Sequence, residues 1–370
     1  MTRGRSSLLA MATAIVLATA PVALAAAETP AGIHQAVAAM RKECAVSGVT
    51  RGASHQQNGI KRRLAAWLDQ QLANEPADAD PAALTERLNR SLGPIATDGS
   101  CASEPGASDT LGQIEVGIRR NGQLLEARTS IAIECGGDDS AYLYERVDGQ
   151  WRRFWRGEQI FMPGLPYQPQ TITAVHVSPD HGNAADGRLV MALGVEEWCA
   201  SSWHVAYVRL WRTGLGQPQT TILDDSHFAF LSDVVGPLDG RLNGDEAEVE
   251  LVLGSIDFDV HSRWAQRRYR IEGSEARRLD PIALTPANFV EEWLTAPWPQ
   301  SSQWTEPARQ DNARRWHGAL RDKDGVIEGA FVGEAAGGAL HCRADAGLWQ
   351  VGIEFPNARS GRRQAWFLVR

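Results

Sequence analysis

A strand pattern that recurs about every sixty residues constrains this chain more than any other feature in it. Between Asp186 and Leu223 the sequence runs strand, polar loop, strand, turn, strand, as DGRLVMALG, EEWCASSWH, VAYVRLWR, GLGQPQ and TTIL. Val205, Tyr207 and Arg209 alternate with Ala206, Val208 and Leu210, so both sides of that strand carry Tyr or branched aliphatic residues. Such a row suits a pleated strand packed on at least one face. The same plan appears upstream in SIAIECGG, AYLYERV and QWRRFW, and downstream in VELVLGS, RWAQRRYRI and EARRLDPI. Gly136, Gly194 and Gly254 are expected to end the equivalent strands. A preceding strand in each unit (QIEVGIRR, TITAVHVS and FAFLSDVV) raises the count to four. A fourth copy spans VIEGAFVG, ALHCRADAGLWQVGIEF and RRQAWFLVR.

Repeated four-stranded units predict a mainly β fold, a propeller-like array of about four units over 111–370. A β-sandwich is the alternative reading. Turn dipeptides at Asn121-Gly122 and Asp148-Gly149 support the hairpins. Three amphipathic segments precede the strands in a helical region over 26–95. They open at Thr29-Pro30, before Ile60 and at Asp80-Pro81. Residues 96–110 are a polar, Gly- and Ser-containing linker. A helical insertion near 284–320 carries Trp293, Trp298, Trp304 and Trp316, read as core packing with an aromatic platform as the alternative.

The first 25 residues are read as a signal peptide: Arg3 and Arg5, an apolar run, Pro21, and small residues at Ala23 and Ala25. No later segment is apolar enough to span a bilayer, so a periplasmic or secreted protein is expected. Cleavage removes two arginines and no acid, taking the net charge from −8 to −10. That balance disfavours nucleic-acid partners, whose phosphates require cations. In an oxidising compartment the five cysteines allow two bridges, expected as Cys44–Cys101 and Cys135–Cys199 with Cys342 free.

No metalloprotease, hydrolase-elbow, phosphate-loop, dinucleotide-binding or paired-cysteine redox motif occurs. The expected inter-strand loops and unit connections carry Asp138, Asp139, Glu196, Glu197, His204, Asp224, Asp225 and His227, an acidic ligand face. Asp257, Asp259 and His261 are the candidate ligands of a divalent metal. These residues favour a non-catalytic binding or interaction module with a protein, peptide or glycan partner. A metal-assisted hydrolase on the acidic loops and carbohydrate binding through the Trp-rich insertion are the alternatives.

The segments SPDHGNAADGRLVMALG and GPLDGRLNGDEAEVELVLGS resemble the FG-GAP or VCBS-type repeats of integrin-like propellers, which place a calcium-binding acidic loop before an apolar strand. The resemblance puts Asp180, Asn183 and Asp186, then Asp239, Asn243 and Asp245, at the acidic positions, although neither set keeps the family spacing.

Overall fold

The computed structural model describes residues 27–42, 51–95, 111–133, 136–159, 169–178, 187–197, 203–230, 238–254, 262–279, 282–283, 286–305, 307–319, 340–345, 348–357 and 361–369. The fold is mainly β. Helices α1 (Pro30–Lys42), α2 (Arg51–Leu72) and α3 (Pro81–Leu92) come first. A meander follows: β1 (Ile114–Asn121), β2 (Leu124–Ile133), β3 (Gly136–Val147) and β4 (Gln150–Glu158). The second comprises β5 (Gln170–Val177), β6 (Arg188–Glu196), β7 (Trp203–Thr213) and β8 (Thr220–Phe230). The third comprises β9 (Asp239–Asn243), β10 (Glu246–Gly254), β11 (Ser262–Glu272) and β12 (Glu275–Arg278). Helices α4 (Pro286–Thr295), α5 (Trp298–Ser301) and α6 (Gln310–Ala319) precede β13 (Leu340–Asp345), β14 (Leu348–Asn357) and β15 (Gly361–Val369). No described helix is long and apolar enough to cross a membrane.

Within each unit, consecutive strands pair antiparallel. The first two units join through one parallel pairing, Asp138 with Gln170. They then pack face to face: Ala141, Leu143 and Trp155 meet Ile172, Val175, Val190 and Ala192. On the opposite side of the second unit, Met191, Leu193, Val208 and Leu210 meet Val249, Leu251, Tyr269 and Ile271 of the third. No closed ring of units is found among the described residues. Among the described residues, the outer face of the third unit carries the half-exposed pairs of Arg268 and Arg270 with Glu246, together with the exposed Trp264.

Local chemistry fixes these elements. The β3–β4 hairpin turns at Asp148 (φ 52) and Gly149 (φ 81), the paired positive φ values of a type I′ turn. Gly194 stands opposite Tyr207, and a Cβ there would collide with the Tyr207 ring and the Thr171 carbonyl. Asp80 caps α3 by accepting from Ala82 N and Ala83 N at 3.3 and 3.2 Å. α3 in turn protects the free edge of β1. Val116 N donates to Asn89 Oδ1 at 3.0 Å, and Ile118 N donates to Thr85 Oγ1 at 2.9 Å. The three helices share one core with the first unit, from Ile33, Leu64 and Leu88 to Val116, Leu125 and Trp151.

Two details of the repeat differ from the sequence expectation. Gly136 opens β3 rather than ending β2, and Gly194 lies inside β6, which runs on to Glu196, while Gly254 ends β10 as expected. Phe228, Ala229 and Phe230 belong to the end of β8, and the third unit starts at the short strand β9. Continuous pairing with β7 draws those residues into the second unit. In the insertion, Trp293 and Trp304 are buried. Trp293 Nε1 donates to Thr305 Oγ1 at 2.9 Å, and Phe289 meets Trp304 edge-on at 6.3 Å.

Candidate functional site

Asp138 and Asp139 lie inside β3, and Asp224, Asp225 and His227 lie inside β8, so none of the five is a loop residue. Both strands run further than their apolar stretches suggest, because a cross-strand or helical partner takes up each described charge. Asp138 is fully buried and meets Lys61 Nζ at 2.6 Å and Gln57 Nε2 at 2.5 Å. Asp139 Oδ2 accepts from Ile172 N at 3.0 Å; burial pushes its carboxyl up despite that bond. Glu197 accepts from Thr171 Oγ1 at 2.7 Å. His204 lies on β7 opposite Ala229, and His227 pairs with Ala206, its side chain outside the described residues.

The acids do not gather on one open face. Successive residues on a strand point to opposite sides, and the Asp224-Asp225 dipeptide splits accordingly. Asp224 turns to Arg209, whose Nε reaches it at 3.1 Å and whose NH2 reaches Glu196 at 2.8 Å. The same guanidinium lies 4.3 Å from the centre of the Tyr207 ring. Burial alone would lower the Arg209 pKa, but Asp224 and Glu196 outweigh it and raise it.

Asp225 turns the other way, toward the third unit. Its Oδ2 accepts from Arg267 NH1 and from the Tyr269 hydroxyl, both at 2.6 Å. Arg267 continues to Glu292 of α4 at 2.9 Å, and Glu292 also receives Arg263 at 2.8 Å and Arg278 at 2.9 Å. Glu291 meets Arg263 at 2.8 Å. Three acids and three arginines thus neutralise one another where β8, β11, β12 and α4 converge. Burial would raise the Glu292 pKa, but Arg267, Arg278 and Arg263 hold it well below the usual carboxylate range. Burial, then Asp225, pushes the Tyr269 hydroxyl up.

This cluster forms part of the wall of a cavity of about 530 Å³, in the size range of small-molecule sites. Thr295, Gln300 and Gln303 face it from the helical side, and Glu275 and Arg277 from β12. Arg209, Arg263, Arg267, Arg278, Tyr269 and Glu292 were not singled out from sequence. A signal existed. Arg263 and Arg267 occupy the same alternating row as Ala265, Tyr269 and Ile271, and an arginine in an apolar row calls for a buried acid.

Asp257, Asp259 and His261 lie outside the described residues, as do Asp180, Asn183, Asp186, Cys44, Cys101, Cys135 and Cys199. Asp239 and Asp245 are separated by the length of β9, with Asp239 opposite Glu250. Among the described residues no group of three or more His, Cys, Asp or Glu is placed to hold a metal ion. Comparison with protein-family models, curated proteins and solved structures finds no match, so the site is read from its geometry.

Proposed function

We propose that this chain is an exported, non-catalytic binding protein, built on an open, propeller-like stack of four-stranded units. It takes a small polar ligand in the cavity between the third unit and α4. One observation carries the reading: the buried charges of the cavity wall, Arg267 and Arg278 with Asp225 and Glu292, are fixed in mutual pairs. Glu292 stays charged far into the acid range, and Tyr269 stays protonated far into the alkaline range. A general acid or base works best with a pKa near the operating pH. A wall of preformed, mutually neutral ion pairs suits recognition instead, because it presents oriented dipoles without having to reorganise. The basic n-region and apolar run at the N-terminus support export.

The test is a melting-temperature screen of the purified protein against polar small molecules, with turnover assayed on the same compounds. A binder should raise the melting temperature in wild type, and the rise should shrink in Glu275→Ala and Gln303→Ala, whose side chains line the cavity away from the buried pairs. Turnover of a bound compound would overturn the non-catalytic reading. Binding indifferent to both substitutions would remove the cavity as its site.

A further inference from the structure

A second cavity, of about 600 Å³, lies where the loop between α2 and α3 meets the β1–β2 and β3–β4 hairpins. It shares no lining residue with the cavity beside α4. The strand register brings two arginines to one face here. Arg120 stands opposite Leu125, Leu125 opposite Tyr144, and Arg146, two residues beyond Tyr144, opposite Trp151. Opposed residues share a face, and so do alternate residues along a strand. The Trp151 side chain is buried in the core beneath, and both guanidinium groups lie over its ring, Arg120 at 5.4 Å and Arg146 at 5.9 Å from the centre.

Each guanidinium is anchored along one edge only. Arg120 NH2 donates to the carbonyl oxygens of Ala77 and Ala79 at 2.5 and 3.0 Å, and Arg146 NH1 donates to that of Glu75 at 3.2 Å. These acceptors are neutral backbone groups of the α2–α3 loop. Among the described residues neither arginine forms an ion pair, and Nε and NH1 of Arg120 and Nε and NH2 of Arg146 meet no acceptor. Arg120 is half-buried and Arg146 exposed, so both forks remain open to the cavity mouth. Fastening the loop accounts for one edge of each fork and leaves the other with donors in a planar array.

Charge narrows the occupant. By count the wall is neutral, with Arg120, Arg146 and Arg188 against Asp78, Asp80 and Glu145. By position it is not. Glu145 is matched to Arg188 at 3.0 Å. Asp80 turns both oxygens to Ala82 N and Ala83 N at the start of α3. Asp78 is exposed at the rim and pairs with neither Arg120 nor Arg146. The two unmatched cations therefore lie side by side over one ring, and their complement is a group with several negatively charged oxygens. Carboxylate and phosphate fit such forks, because each accepts two parallel N–H bonds from a guanidinium.

We propose that this cavity binds the carboxylate or phosphate group of a small anionic ligand between the open edges of Arg120 and Arg146. The site stands apart from the cavity beside α4 and does not rest on the ligand proposed there. The experiment titrates inorganic phosphate and succinate calorimetrically into the full chain, with chloride holding the ionic strength constant. At least one probe should bind saturably, and the stronger of the two identifies the oxoanion. Arg120→Gln and Arg146→Gln should each weaken binding about tenfold or more, as loss of hydrogen bonds to a charged group does. Arg146 is exposed and holds the loop by a single bond, so Arg146→Gln should keep the wild-type melting temperature and separate binding from folding. Arg152→Gln is the control: it removes an exposed arginine of β4 that lies outside the cavity, beside Asp148 at 3.9 Å, and should leave the affinity unchanged. Crystals of the wild type soaked in tungstate should show an anomalous peak between Arg120 and Arg146, a readout independent of any variant. Binding that survives Arg146→Gln, or that Arg152→Gln weakens equally, overturns the proposal. Absence of saturable binding by both probes, with no such peak, overturns it as well and leaves the two arginines as loop anchors.

Discussion

Along β11, alternate residues turn to opposite faces of the third unit, and both faces use arginine against glutamate. On the inner face Arg263 and Arg267 meet Glu291 and Glu292 with side chains 2–9% exposed. On the outer face Arg268 and Arg270 meet Glu246 with side chains 36–48% exposed. Arg267 and Arg268 are adjacent in sequence and belong to opposite regimes. Inside, each charge has been taken out of water, and only the full set of partners makes that tolerable. Outside, water and salt already satisfy the charges, and the pairs add little. The same chemistry is therefore a fixed scaffold on one face and a solvated surface on the other.

The sharpest way to break this comparison is Glu292→Ala, which leaves three arginines in the cluster without their shared carboxylate. It should cost about 3–5 kcal/mol, read as a lower denaturation midpoint with unchanged slope. A midpoint within error of wild type would mean that the inner face is as solvated as the outer.

Leu210→Ala and Tyr207→Ala extend the test to the second unit, where Leu210 faces the third unit and Tyr207 the opposite side. Each should cost about 2–5 kcal/mol, because both sides of β7 are buried. If one proves nearly silent in the same denaturation assay, β7 is covered on a single face.

Acid titration separates the faces by sign. The Glu292 pKa is depressed in the folded state, so its contribution is complete above the unfolded value and lost as pH falls through the folded one. The stability difference between wild type and Glu292→Gln should therefore persist through pH about 4, the ordinary carboxylate range, and shrink only below it. Under α2 the sign reverses. Burial raises Asp138 and Asp69, so their share is present below the unfolded value and declines as pH rises through the folded one. Denaturation midpoints collected across the acid range for wild type and Glu292→Gln distinguish the two.

The smallest effect belongs to Glu246→Gln on the outer face, which should leave the midpoint unchanged within error in low and high salt alike. A loss comparable to that of Glu292→Ala would show that the outer ladder is covered, as a further stacked unit would require.

Much of the architecture was legible because it is written at short range. Alternation in VAYVRLWR, the Asp148-Gly149 turn and the Asp80-Pro81 helix start are decided by neighbouring residues, and each lies where its chemistry requires. The candidate site was only half legible. Asp225 stood out as an acid, but its partners Arg267 and Tyr269 lie more than forty residues away on another sheet. Asp138 read as a loop residue because its partners Gln57 and Lys61 lie on a helix outside the repeat.

The sequence by itself determined the alternation of β7, the Asp148-Gly149 turn and the start of α3, since those preferences act over a few residues. It did not determine how far β3 and β8 run or which unit Phe228 and Phe230 join. The tertiary structure alone decided which charges are buried. A strand's alternation sends Arg267 and Arg268 to opposite sides without saying which side another element covers. That choice depends on the stacking of the second unit on the third and on the return of α4, which bring distant groups close enough for pairing to offset the loss of water.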